Sequence, residues 1–195
     1  MKNARSAEEI AREYRKRLGV DHLQWLDPMT ILTKLRHEIP GCDFATVAPG
    51  EIAPALAKWD SGRKLIRIGE DTFAAANIPR SEGRARFSIF HEAIHVLGGH
   101  EGAFNRLPGR SEIPGYAQKL RALEASTDKI TAAFMAPRHL ISDNWSVEDV
   151  ALFFGMSAES AKIRIEEVRG SARPRRIRPE EVTQLLLDLS RRSPR

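Results

Sequence analysis

The chain has a single cysteine, Cys42, in 195 residues. No internal disulfide can form, which excludes a disulfide-stapled secreted scaffold and fits a reducing cytosol. With no second cysteine to share a metal, Cys42 reads as a small buried apolar side chain. Apolar runs long enough to cross a membrane, ~18–20 residues, are also missing. Residues 1–17 are charged and lack the apolar stretch of a secretory signal, so the expected location is cytoplasmic. No internal repeat or low-complexity run precedes an Arg/Pro-rich stretch at 173–179, and no repeat architecture is expected. Most of the chain also lacks an excess of either charge. The net charge of +5 arises in residues 169–195, which hold eight Arg against three Asp or Glu. Such a basic tail can touch nucleic acid or an acidic surface, and it reads first as a solubilising end.

What is present is an ordinary globular composition, 42% hydrophobic and 29% charged, suited to one domain. Ser6-Ala7-Glu8-Glu9 is a capping box, followed by Ile10, Tyr14 and Leu18 at four-residue spacing and closed by Gly19. Asp27-Pro28 opens a second helix that carries Ile31, Leu32 and Leu35. Pro40-Gly41 breaks the pattern, and strand character follows from Phe44 to Ile68. Ala55–Trp59, a turn at Asp60-Ser61-Gly62, and Lys64–Ile68 predict a hairpin, with Ile66 and Ile68 on a dry face. The spacing of Phe87, Phe90, Ile94 and Leu97 predicts a helix over 84–97 with those residues as its buried stripe, stopped by Gly98-Gly99.

Residues 100–116 contain three Gly and two Pro and predict a loop lying over whatever site adjoins it. A long helix, Tyr116–Met135, ends at Ala136-Pro137. Two short helices follow, Ser146–Phe154 and Ser157–Val168, separated by Gly155, with Ser157 as N-cap; Val182–Leu189 predicts a last short one. The expected fold class is α+β, a small antiparallel or mixed sheet of about three strands packed on a helical bundle, with a C-terminal helical pair. One domain spans 1–168, made of N-terminal helices at 1–40, a core at 44–137 and the helical pair at 146–168. The basic tail is 169–195.

The chemistry is concentrated in His91-Glu92-Ala93-Ile94-His95, an H-E-x-x-H motif on the 84–97 helix. Histidines four apart are separated by about 40° around a helix. Both imidazoles can therefore reach one ion, typically Zn²⁺ at ~2.0–2.1 Å. Glu92 projects beside them, where its carboxylate can take a proton from water. The competing reading is a surface helix with two solvated histidines.

A catalytic zinc takes three protein ligands, and three residues compete for the third place. Glu101 completes H-E-x-x-H-x-x-G-x-x-E, the metzincin spacing with Glu where His is usual. His100 stands one position earlier. Glu124 lies on the following helix, with Asp128 one turn later on the same face. Glu124 could hold the ion while Asp128 accepts the other ring N–H of a ligating histidine. The alternative for this pair is a solvated acidic face. Tyr116, His100 and His139 are the candidate donors to the oxyanion of a hydrolytic transition state.

Residues 86–95, Arg-Phe-Ser-Ile-Phe-His-Glu-Ala-Ile-His, resemble the R-F-T-x-x-H-E-x-x-H helix of the ImmA/IrrE family of zinc metallopeptidases. Residues 124–137, from Glu124 to Met135-Ala136-Pro137, are similar to that family's E-x-x-A-[ND]-x-F-A-x-x-L-L-M-P helix. The hairpin at 59–68 matches its upstream strands. Residues 150–157 with 161–168 resemble its C-terminal helical pair, so the likeness covers roughly residues 45–168. The chain departs from the pattern at Gly98-Gly99, Thr127, Ile130 and Ala136, none of which is a ligand position.

The resemblance implies a gluzincin-like fold with one Zn²⁺ per chain on His91, His95 and Glu124, and Glu92 as general base. His/His/Glu ligation also accepts Mn²⁺ or Fe²⁺. It implies a cytosolic endopeptidase of narrow specificity whose substrate is a helix-turn-helix repressor, cleaved to switch on stress-response, prophage or mobile-element genes. Many relatives carry an N-terminal helix-turn-helix domain, for which residues 1–40, with two helices, are short. Three other functions compete: a non-catalytic or DNA-binding regulator that keeps the fold, a toxin-like member of a two-gene module, and a metal-dependent hydrolase of a small molecule. On the 157–168 helix Lys162 and Arg164 are offset by Glu159, Glu166 and Glu167, a poor charge balance for approaching phosphates, so direct nucleic-acid binding is not favoured.

Overall fold

A computed structural model describes residues 5–78, 83–100 and 115–170, and its helices begin where polar caps satisfy their first N–H groups. In α1 (Ala7–Arg17) the Ser6 hydroxyl accepts from the Glu9 N–H at 3.2 Å while the Glu9 carboxylate accepts from the Ser6 N–H at 2.6 Å. In α2 (Pro28–Glu38) the Asp27 carboxylate accepts from the Thr30 N–H at 2.7 Å, with proline at the first helical position. The strands are β1 (Asp43–Val47), β2 (Ala57–Asp60) and β3 (Leu65–Gly69), in the order β1-β3-β2. β2 and β3 form the antiparallel hairpin, and β1 joins β3 in parallel. Ile66 and Ile68 face the core. Cys42, just before β1, is buried, and burial pushes its thiol pKa up.

The chain then forms α3 (Glu70–Asn77), α4 (Gly83–Leu97), α5 (Tyr116–Met135), a 3₁₀ turn at Arg138–Leu140, α6 (Val147–Phe154) and α7 (Ala158–Arg169). Among the described residues the fold is α+β, with seven helices and the mixed three-stranded sheet. Ser146 and Ser157 cap α6 and α7, and Gly155 closes α6 in the left-handed region at φ 63°. The predicted helix at 182–189 and the basic tail lie outside the described residues. No described helix is long and apolar enough to cross a membrane.

Two expectations are corrected. Helix α3 was not anticipated: it is eight residues long, its N-cap Gly69 makes no side-chain cap, and its pattern is weakly amphipathic, so tertiary packing sustains it. The buried surface of α4 is also wider than the apolar spacing predicts. α2, α3, α5 and β2 all pack on α4, and Ala85, Arg86, Ile89, Phe90, Ala93, Ile94, His95, Val96 and Leu97 are all buried, whereas Phe87 is only half-buried. A helix enclosed on most sides no longer shows one apolar face. Its first residue must be glycine, because a Cβ on Gly83 would lie 2.2 Å from the Ser157 backbone nitrogen.

Three buried arginines tie these elements together. Arg86 of α4 donates to Ala76 O at the end of α3 at 3.1 Å and to Leu26 O, and its guanidinium lies 3.8 Å from the centroid of the Trp25 ring. Arg15 of α1 donates to Phe134 O at 2.6 Å, and Arg164 of α7 donates to Ala136 O at 2.7 Å. α5 has no basic residue in its last turn. The cations that complement its C-terminal carbonyls therefore come from neighbouring helices.

Candidate metal centre

The side chains that could hold an ion come from two helices packed side by side. α4 presents His91 and His95 one turn apart, and α5 presents Glu124 and Asp128 one turn apart. His91 Nε2 lies 3.0 Å from His95 Nε2 and 3.0 Å from Glu124 Oε2, and His95 Nε2 lies 3.7 Å from Glu124 Oε2. Ligand atoms around a tetrahedral ion at ~2.0–2.1 Å are separated by about 3.3 Å. The three distances bracket that value, so His91, His95 and Glu124 could hold a metal ion. Of the two candidates for the third place among the described residues, Glu124 and His100, Glu124 is the one that faces the Nε2 atoms of both histidines.

Each histidine is also gripped at its other nitrogen. Asp128 Oδ1 lies 3.0 Å from His91 Nδ1. His100 Nδ1 lies 2.9 Å from His95 Nδ1. The second contact follows from how α4 ends. Gly99 adopts φ 62°, the Gly99 N–H donates to Val96 O at 3.1 Å, and the His100 N–H donates to His95 O at 2.9 Å. This is a Schellman motif, which folds the residue after the left-handed glycine back over the last turn.

Glu92 is anchored from the sheet. Among the described residues β2 is an edge strand, and the Trp59 N–H, opposite Ile66 in the hairpin, donates to Glu92 Oε2 at 2.7 Å. The indole Nε1–H of the same Trp59 donates to His100 O at 3.1 Å.

The electrostatics follow from burial and these bonds. Burial acts to lower the His91 pKa, but hydrogen bonds to Asp128 and Glu124, with the charges of Glu92 and Glu124, prevail and raise it to about 9. Burial acts to raise Glu124, but hydrogen bonds from His91 and His95 hold it well below the usual carboxylate range. Burial raises Glu92 against the pull of His95, His91 and the Trp59 N–H. Burial first, then His95, pushes His100 down to about 3, so its ring is neutral at physiological pH. Before an ion binds, protonated His91 stabilises the fold fully below its ordinary pKa of 6.5, and that contribution is lost as pH rises through about 9.

Ion uptake must displace this proton. Binding at pH 7 is expected to release about one proton, with affinity rising roughly tenfold per pH unit up to the His91 pKa. Calorimetry in buffers of different ionisation heat reads the proton number, and a value near zero at pH 7 would contradict the assignment.

The remaining candidates are placed as follows. His100 is neither third ligand nor oxyanion donor in this arrangement: its Nδ1 is bonded to the side of His95 opposite Nε2, and its Nε2 faces Gly98, where a Cβ would lie 2.6 Å away. His139 interacts instead with Asp21, 3.1 Å from its backbone oxygen and 3.4 Å from Oδ1. It follows the end of α5, and Met135 lies about 16 Å along that axis from Glu124 at ~1.5 Å per residue. Glu101, the loop at 101–114 and the side chain of Tyr116 lie outside the described residues. The contact of His100 with His95 does not follow from the sequence, where Gly98-Gly99 predicts only the end of the helix. A left-handed glycine followed by a histidine that faces back towards a ligand was the available clue. Comparison of the chain with protein-family models, with curated proteins and with solved structures finds no match in any of the three.

Proposed function

We propose that the chain is a zinc-dependent endopeptidase of the ImmA/IrrE kind. The observation that carries this reading is the convergence of His91 Nε2, His95 Nε2 and Glu124 Oε2 at 3.0–3.7 Å, from an H-E-x-x-H helix and its neighbour. Two imidazoles and a carboxylate match zinc in ligand number and chemistry. When bound, zinc supplies Lewis acidity that brings the pKa of a coordinated water to about 7 and polarises a carbonyl. Glu92, held by the Trp59 N–H, takes the proton of the attacking water and returns it to the leaving amine. Because β2 is an edge strand packed on α4, it offers main-chain groups along which an extended substrate could align by strand addition.

On this reading the substrate is a helix-turn-helix repressor encoded nearby, cleaved to release stress-response, prophage or mobile-element genes, and the enzyme works in the cytoplasm. The DNA-binding alternative is weakened by Arg164, which is buried and committed to Ala136 O and Glu8 and so unavailable to a phosphate.

Metal content of purified wild type, Glu124→Ala and Glu101→Ala separates the ligand readings. Wild type and Glu101→Ala are expected to hold about one ion, and Glu124→Ala to lose it. Loss in Glu101→Ala alone would point to the metzincin-like arrangement instead. Coexpression with the neighbouring repressor tests proteolysis, and an intact repressor beside metal-loaded wild type would speak against it.

A further inference from the structure

We infer that His100 is the positioning residue for the ligand His95, delivered to it by the Schellman turn that ends α4. The inference rests on the metal reading above and adds a residue to it. A histidine that binds an ion through Nε2 carries its proton on Nδ1, so His95 Nδ1–H must donate to whatever faces it. What faces it is His100 Nδ1, at 2.9 Å. His100 then accepts, and its own proton is on Nε2. That arrangement places the His100 ring, which is buried, as an acceptor at Nδ1.

The backbone explains how a residue five positions after a ligand comes to serve it. In a Schellman motif the residue after the left-handed glycine packs on the residue at C3, a contact that is usually apolar. Here those positions are His100 and His95, joined by a main-chain bond from His100 N–H to His95 O and by the bond between their rings. Gly98 leaves room for the ring, since a Cβ there would lie 2.6 Å from His100 Nε2. Trp59 fastens the turn from the sheet through its indole N–H to His100 O, and its main-chain N–H holds Glu92. One residue of β2 thus ties the orienting histidine and the catalytic carboxylate to the same strand. His91 faces the carboxylate of Asp128, and His95 faces the ring of His100. A carboxylate raises ligand basicity more than a neutral acceptor does.

Two measurements test this. The first uses zinc competition against a chromogenic chelator and the visible spectrum of the Co²⁺-loaded protein, for wild type, His100→Leu and His100→Asn. Leu removes the acceptor and is expected to weaken zinc roughly 10–100-fold and to change the Co²⁺ spectrum. Asn places an oxygen near the position of Nδ1 and is expected to restore both. Wild-type affinity in His100→Leu, or equal losses in Leu and Asn, overturns the inference. The second measurement needs no variant and is independent of folding effects. In ¹⁵N-histidine-labelled, zinc-loaded wild type, scalar coupling across the hydrogen bond should join His95 Nδ1 to His100 Nδ1, and its absence overturns the inference. A wild-type chain that takes up no zinc would sink the metal reading itself, and this inference with it. Zinc-loaded wild type without the coupling sinks this inference alone.

Discussion

On the proposed endopeptidase reading, Glu92→Gln is expected to bind zinc as tightly as wild type and to cleave the substrate roughly 10²–10⁴-fold more slowly, the usual contribution of a positioned general base. The substitution is nearly isosteric, and the glutamine carbonyl can still accept from the Trp59 N–H that now bonds Glu92 Oε2 at 2.7 Å. The hydrogen bonds described for His91 and His95, to Asp128, Glu124, His100 and each other, do not involve Glu92. What disappears is the proton acceptor. Single-turnover cleavage with equal metal content in both proteins reads the effect. Cleavage by Glu92→Gln within a few-fold of wild type would remove Glu92 from the mechanism, while loss of zinc would show that Glu92 supports the ligands instead.

Arg86 is expected to show the largest effect on stability. It lies fully buried in α4, five residues before His91, and bridges Ala76 O and Leu26 O while stacking on Trp25. Burial lowers its pKa to about 10, so it remains charged at neutral pH. Arg86→Met fills much of the volume but leaves two buried carbonyls without their donors, each costing about 1–3 kcal/mol. It also removes a desolvated cation–π contact of roughly 2 kcal/mol. Losing the burial cost of the guanidinium offsets part of this, for a net of about 3 kcal/mol. For a domain of this size that corresponds to roughly 10 °C in melting temperature. Arg86→Lys is expected to recover little, since one ammonium cannot reproduce the planar fork and its stack. Chemical denaturation measures both variants, and a midpoint for Arg86→Met within experimental error of wild type would show that the two carbonyls find other partners.

Much of the fold was legible because its local signals are strong. The Ser6–Glu9 capping box, Asp27-Pro28, the Ser157 cap and Gly155 place helix ends to within about a residue of where the structure has them. The hairpin of β2 and β3 followed from a glycine turn and alternating isoleucines. Helix α3 escaped notice because no cap or periodicity marks it. The parallel pairing of β1 with β3 was not legible either, since a parallel partner lies across an intervening segment and leaves no local pattern. In the sequence Arg86 carries no signal beyond its place before the H-E-x-x-H motif. Charged residues are rarely buried without partners, and its partners are main-chain carbonyls from distant segments, which a sequence does not display.

The sequence by itself determined that two imidazoles share one helical face, because a spacing of four residues and the 3.6-residue turn leave no other arrangement. It likewise determined that Glu124 and Asp128 share a face, and that a glycine pair ends α4. Only the tertiary structure decided that those two faces meet, with Glu124 against Nε2 of His91 and Asp128 against its Nδ1. The packing of α4 against α5 and β2 also made Trp59 the holder of Glu92 and turned His100 towards His95. Periodicity places residues on an element, but which elements touch is settled by burying apolar area across the whole chain, and that energy is non-directional and leaves no mark at any single position.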